Sequence, residues 1–302
     1  MTPAICCPRC HDAIPATPPA ERPCPRCGLV LRGSPVGVSY EQARLLQAAF
    51  PARFRLYRAL CNNGFVSYHE LAAGSVSLPG REDVAEFGRF LSHHAGNGEW
   101  LLDVGCGPLP VPGYLEPLRG RGLRFLGLDI YPTSFDGFRI TGCAEFLPLA
   151  DRSIDVVVFG TSLDHVCDLT QTLQEMSRIL RRGGRCCIWM GDRRPYWREF
   201  FFPDAPATVV VRRIFGGFPK RVLRNVLNGH RPFYGILHHF RHGRYWEYEN
   251  GSTFYCPPGA IDPFHMYFER PAEVIRLAKR FGFAATATER ASNGVFLGLT
   301  RS

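Results

Sequence analysis

The chain has 302 residues, of which 45% are hydrophobic and 21% charged, with a formal net charge of +9. That length and apolar content fill one large core or two unequal ones and exclude an intrinsically disordered chain. No apolar run reaches the roughly eighteen residues of a membrane span, and MTPAICCPRCHDAIP at the start holds no signal-peptide core, so a cytoplasmic location with reduced cysteines is expected.

Residues 1–33 read as a separate zinc ribbon. Cys7-Pro8-Arg9-Cys10 and Cys24-Pro25-Arg26-Cys27-Gly28 are two C-x2-C pairs with thirteen residues between them. Two such knuckles can place four thiolates around a tetrahedral ion, whereas a redox dithiol needs only one pair in a thioredoxin-like setting. Cys7, Cys10, Cys24 and Cys27 are therefore expected to hold structural zinc, with Cys6 and His11 as neighbours. The metal would stabilise a segment too poor in apolar residues to fold alone.

Residues 34–96 read as a helical connector or cap. Ser39 is placed to cap YEQARLLQAAF, Pro51 to stop it, and a second helix is expected from Ala52 to about Cys61, before Asn63-Gly64. Leu78-Pro79-Gly80 reads as a turn. In REDVAEFGRFLSHHA, Val84, Phe87 and Leu91 recur at helical spacing.

From residue 97 to 302 apolar runs and helical patterns alternate, which requires a parallel sheet with helices on both faces. Strands are expected near 100–104, 124–129, 138–142, 154–159, 185–190, 283–288 and 294–300, the last two as a hairpin around Ser292-Asn293-Gly294. An insertion over 191–265, after the fifth of these strands, is expected to form a substrate lid. It carries Tyr196, Trp197, Phe200, Phe201 and Phe202, and a basic amphipathic stretch from Pro219 to Gly229. His238, His239 and His242 read as solvated cationic surface rather than as a metal site. Lys220 and Lys279 are the two lysines, so arginine dominates the 36 basic residues. From Arg193 to Arg244 there are 11 basic residues against Glu199 and Asp204, an excess equal to that of the whole chain. Such a segment suits nucleic acid, an anionic membrane surface or a phosphorylated substrate.

Two strand ends carry the chemistry. WLLDVGCG leads into Gly105 and Gly107, which allow a tight turn with backbone amides near a ligand. FLGLD ends on Asp129, placed to accept hydrogen bonds from ribose hydroxyls. A nicotinamide fingerprint would need glycine where Pro110 stands. Asp103 instead suits the cationic amino end of S-adenosylmethionine.

On these motifs, followed in order by GCAEFLPLADRSIDVVVFG and SLDHVCDLTQTLQEMSRILRRGGRCCIWM, the chain after Trp100 resembles the class I S-adenosylmethionine-dependent methyltransferases, in particular methyltransferase type 11. The resemblance implies an α/β fold with a seven-stranded, Rossmann-like, mostly parallel sheet whose last strand is antiparallel. It implies S-adenosylmethionine as cofactor, held by Asp103, Gly105, Cys106, Gly107, Asp129, Ala144, Glu145 and Ser162. Two positions depart from the group: Leu109 replaces a frequent third glycine, and Cys143 replaces a frequent aspartate near the adenine.

Methyl transfer is an in-line displacement that depends chiefly on positioning, with a general base where the acceptor is a hydroxyl. His165, where the fourth strand ends, and His265, before the last helix, are the candidates. The expected acceptor is a small or medium metabolite, such as a sugar or lipid-linked intermediate. RNA is the alternative, because a zinc ribbon before such a domain is similar in arrangement to a family of ribosomal RNA guanine methyltransferases; those usually close the metal site with histidine where Cys27 stands. A docking protein that binds the cofactor without turnover is the third reading.

Overall fold

The computed structural model describes residues 3–14, 21–72, 81–191, 243–247, 253–258, 260, 263–267, 270–292 and 294–302. The aromatic, basic and histidine-rich stretches of the expected lid, and the Leu78-Pro79-Gly80 turn, lie outside the described residues. Among the described residues, no helix is long and apolar enough to cross a membrane.

The amino-terminal third contributes β1 (Arg22–Pro23), β2 (Val30–Ser34) and β3 (Gly37–Tyr40), then α1 (Gln42–Ala49), α2 (Pro51–Ala72) and α3 (Glu82–His94). The following strands are β4 (Trp100–Val104), β5 (Arg124–Asp129), β6 (Phe138–Thr141), β7 (Ile154–Gly160) and β8 (Leu180–Met190), with α4 (Leu169–Ile179) before β8. A small antiparallel pair, β9 (Arg244–Glu247) and β10 (Thr253–Cys256), precedes α5 (Pro271–Lys279) and the closing hairpin of β11 (Phe283–Ala291) and β12 (Gly294–Arg301).

All seven segments expected as strands lie in one sheet, but that sheet has ten described strands, in the order β1-β2-β3-β6-β5-β4-β7-β8-β12-β11. The additional three come from the amino terminus. β3 pairs in parallel with β6, and β2 and β1 add to it antiparallel. The described part of residues 1–33 thus packs onto the sheet. Ile5, Cys7, Cys24 and Leu31 are buried in the same apolar cluster as Leu102, Val157 and Ile188, because a thirty-residue segment cannot bury a core of its own and uses the sheet's.

Two helix boundaries also differ from expectation. Ser39 lies in β3 rather than at a helix cap, since pairing Tyr40 with Leu31 buries both, and α1 starts one residue after Glu41. The second helix runs through Asn63-Gly64 to Ala72. There the Asn63 amide donates to the carbonyls of Tyr255 and Pro263, both at 2.7 Å, a tertiary contact that outweighs the local turn preference.

The central strands are buried on both faces, as continuous apolar runs require. Leu101, Val156, Val158, Trp189 and Phe296 face α3, where Phe87 packs 5.5 Å from Trp189 and 5.0 Å from Phe296, ring centre to ring centre. Leu102, Val157 and Ile188 face α4 and α5, which bury Leu173, Met176, Val274 and Ala278. Asp168 starts α4 by accepting the Gln171 N–H at 2.8 Å. β4 sits between β5 and β7, so the chain winds away from it in both directions and opens a crevice beyond its carboxyl end.

Because β2 shares the sheet's core, Leu31→Ala, at a fully buried position, should cost about 2 to 5 kcal/mol. Urea unfolding followed by circular dichroism should show one transition moved to lower urea. A separate early transition, with the main one unmoved, would contradict a shared core.

Candidate functional site

The crevice holds a cavity of about 440 Å³ beyond the ends of β4, β5, β6 and β7, roofed by α2 through Tyr57, Leu60, Cys61 and Gly64. Its floor is the turn leaving β4. Gly105 has φ +74°, and a Cβ there would stand 2.5 Å from that of Ser162, so the position admits only glycine. The N–H groups of Gly105 and Cys106 both donate to the Leu128 carbonyl, at 2.8 and 3.1 Å, which ties the turn to β5. Gly107 N–H donates to Asp129 Oδ2 at 3.1 Å, and Tyr131 N–H to Oδ1 at 3.0 Å. Burial raises the Asp129 carboxyl to about 6, against the stabilising pull of these two N–H groups.

Gly105, Gly107, Asp129, Ala144, Glu145, Ser162, His165 and His265 all border this cavity. Within it their side chains do different things. The Ser162 hydroxyl donates to the Val104 carbonyl and fastens the β4 turn to the end of β7. Glu145 Oε1 accepts N–H bonds from Cys167 and Asp168 at 2.5 and 3.0 Å, so its carboxylate braces the start of α4; burial raises its pKa.

Asp103 and Cys106 stand behind the cavity wall. Asp103 is fully buried and accepts the Tyr114 hydroxyl on both oxygens, at 2.9 and 3.1 Å. Burial raises it to about 7, opposed by that hydrogen bond. The Cys106 thiol lies 3.8 Å from the Thr133 hydroxyl and is pushed up by burial. Sequence reasoning could not have found Tyr114 as a partner, since it lies eleven residues on, within a short 3-10 turn.

At the other end of the cavity, Asp164, His165 and His265 bring their donor atoms within 4.8 Å of one another. His165 Nε2 is 3.5 Å from Asp164 Oδ1, and the two imidazole ring centres are 4.6 Å apart. Two backbone N–H groups, of Met266 and Tyr267, donate to the Asp164 carbonyl at 2.9 and 3.3 Å, which holds the segment carrying His265 against the turn carrying His165. Arg53 of α2 pairs with Asp168, and the Tyr267 hydroxyl donates to the Cys167 carbonyl at 2.8 Å.

The four cysteines of the amino-terminal knuckles gather at a second place. All four sulfurs lie within 4.8 Å of one another, with Cys7–Cys27 and Cys10–Cys24 each 3.5 Å apart. Four sulfurs at about 2.3 Å from a tetrahedral zinc are about 3.8 Å apart, so the cluster fits that ion with small adjustment. Burial opposes the Cys24 thiolate, but the N–H groups of Cys27 and Arg26 together with the Cys10 and Cys7 thiols outweigh it and bring Cys24 down to about 7.

Residues 102–188 match the family described as "Methyltransferase domain". A 37.1 kDa protein in transposon TN4556 of Streptomyces fradiae is 32% identical over 143 residues, which are 44% of this chain and 40% of that protein. The ubiquinone/menaquinone biosynthesis C-methyltransferase UbiE of Geobacter sulfurreducens is 29% identical over 142 residues, 46% of this chain and 51% of the relative. The chain thus spans about half, or less, of the length of these curated relatives. The solved 1,6-didemethyltoxoflavin-N1-methyltransferase of Burkholderia thailandensis aligns over 94% of this chain and 100% of its own, with a TM-score of 0.48 and 12% identity. The match gives residues 102–188 as a methyltransferase domain.

The raised Asp103 carboxyl has a pH consequence. Its folded pKa of about 7 exceeds the unfolded value of about 4, so the folded state binds the proton more tightly. That stabilisation is complete below about pH 4 and is lost as pH rises to about 7. Asp103→Asn keeps an acceptor for Tyr114 and removes the titration. Its unfolding free energy relative to wild type should therefore climb between pH 4 and 7. A flat or falling difference in urea titrations would contradict the assignment.

Proposed function

We propose that the protein is an enzyme that transfers the methyl group of S-adenosylmethionine, in the cytoplasm, to a small or medium-sized metabolite such as a sugar or lipid-linked intermediate. The observation that carries the proposal is the convergence of the Gly105–Gly107 turn, Asp129 and the 142–145 loop on one cavity at the sheet's switch point. S-adenosylmethionine supplies an activated methyl: the acceptor forms a bond to the methyl carbon while the carbon–sulfur bond breaks, its electron pair staying on sulfur. In this reading Asp129 accepts the ribose hydroxyls, and the Gly105, Cys106 and Gly107 backbone passes beside the amino-acid end. The cationic end favours the charged form of Asp103, whose carboxylate Tyr114 bonds, and is balanced by it. Ala144 and Glu145 border the adenine through their backbone, and Ser162 holds the two strand ends at fixed spacing.

His165 and His265 meet the acceptor and take its proton where the acceptor is a hydroxyl. A metabolite acceptor is supported by a relative that acts in quinone biosynthesis. The basic excess from Arg193 to Arg244 supports an acceptor carrying negative charge, or contact with an anionic surface. We assign structural zinc to Cys7, Cys10, Cys24 and Cys27, on the fit of the four sulfurs to a closed tetrahedral shell.

Incubation with methyl-labelled S-adenosylmethionine and fractionated cell extract should place label in the small-molecule or lipid fraction; label confined to RNA would replace this acceptor class with the nucleic-acid one. Asp129→Ala should weaken S-adenosylhomocysteine binding by about 1 to 3 kcal/mol in titration calorimetry, through the lost ribose acceptor. Unchanged affinity would contradict the role given to β5. Elemental analysis should find one zinc per chain in the wild type and none in Cys10→Ser, whereas four freely reactive thiols in metal-replete protein would contradict the zinc site.

A further inference from the structure

One cavity wall, the 142–145 loop, is backed by an amino-terminal strand. Tyr40 ends β3 and is 3% exposed. Its hydroxyl accepts the Cys143 N–H at 3.0 Å and donates to the Phe146 carbonyl, so a single side chain spans the loop that lines the cavity. Its ring fills the space beside Gly142, where a Cβ would stand 2.5 Å from it. Gly142 N–H in turn donates to the Asp129 carbonyl at 2.9 Å, so the loop set by Tyr40 is joined directly to the proposed ribose-binding strand.

The same chain segment is fastened further along by the first cysteine knuckle. Ile5 bridges to Leu149, Cys6 N–H donates to the Pro148 carbonyl at 3.1 Å, and Ala150 N–H donates to the Ala4 carbonyl at 2.9 Å. The second knuckle runs into β2, whose Leu31 is the register partner of Tyr40. Residues 142–150 are therefore gripped at two points: by Tyr40 of β3, whose partner strand β2 follows the second knuckle, and by residues 4–6, which lead into the first. Glu175 and Arg178 of α4 hold the middle of the segment at Leu147 and Leu149, away from the cavity-lining residues.

We infer that Tyr40 is a positioning residue for the methyl donor, and that a metal ion on the four thiols holds Tyr40 in place, which makes the amino-terminal unit a support for donor binding. The inference rests on the reading of the cavity as the donor site. Its physical basis is that Tyr40 engages the Cys143 N–H and thereby fixes the orientation of the next peptide units. Removing the hydroxyl leaves the buried Cys143 N–H and the half-buried Phe146 carbonyl without this partner. Releasing the metal frees both knuckles, since such small segments fold with their ion.

The test is calorimetric titration of S-adenosylhomocysteine into the full chain, as wild type, Tyr40→Phe, Cys10→Ser and the double variant, with melting temperature and zinc content measured beside it. Tyr40→Phe should weaken binding on the order of 10-fold, at unchanged zinc content and well below its melting temperature. Chelation of the wild type should weaken binding at least as much, and added zinc should restore it. The double variant should bind no more weakly than Cys10→Ser, because both changes act through one contact. A purely architectural role would lower melting temperatures while leaving affinity unchanged, and that result overturns the inference alone. Failure of the wild type to bind S-adenosylhomocysteine overturns the reading of the cavity, and the inference with it.

Discussion

The β4 turn must pass under Ser162 with almost no clearance, and it does so by combining a left-handed glycine with two N–H bonds to one carbonyl of β5. Those contacts fix the ends of β4, β5 and β7 against one another, and everything facing the cavity is referred to them. Asp129 receives the next N–H of the same turn, so its carboxylate is oriented by the backbone it serves. The cost is a desolvated acid. Two buried N–H bonds offset part of it, and the rest shows as a raised pKa.

Around this fixed floor the remaining walls come from distant parts of the chain. α2 supplies the roof, and its Asn63 also reaches the β10 strand and the segment that carries His265. Glu145 connects the 142–146 loop to the start of α4, while Tyr267 and Arg53 meet at the same place. The glycine-turn end and the histidine end of the cavity are thus coupled through side chains that bond to the intervening backbone. The small 3-10 turn at Leu163–His165 is the joint between them.

Much of this was legible in the sequence, and the reasons are specific. A parallel strand buried on both faces reads as an uninterrupted apolar run, so WLLDV, FLGLD and DVVVF announced themselves, and glycines after the first of them announced the turn. The amino-terminal strands gave no comparable signal. Arg22–Pro23, VLRGS and GVSY are short, and the pairing of β3 with β6 is between segments far apart in the chain. Paired cysteines pointed to a self-contained ribbon, while the apolar residues beside them, Ile5 and Leu31, were the sign that the unit docks. Asp103 was legible as an important acid but not as one held by Tyr114, because no periodicity relates a strand to a 3-10 turn.

The claim that joins these observations is that one cavity, floored by the β4 turn and walled by the Tyr40-supported loop, receives the methyl donor. Hydrogen exchange measured by mass spectrometry, with and without S-adenosylhomocysteine, addresses it most directly. The account predicts slowed exchange at residues 105–107, 129–131 and 142–145, whose backbone lines or adjoins the cavity. Protection confined to other parts of the sheet, or none at saturating ligand, would contradict it.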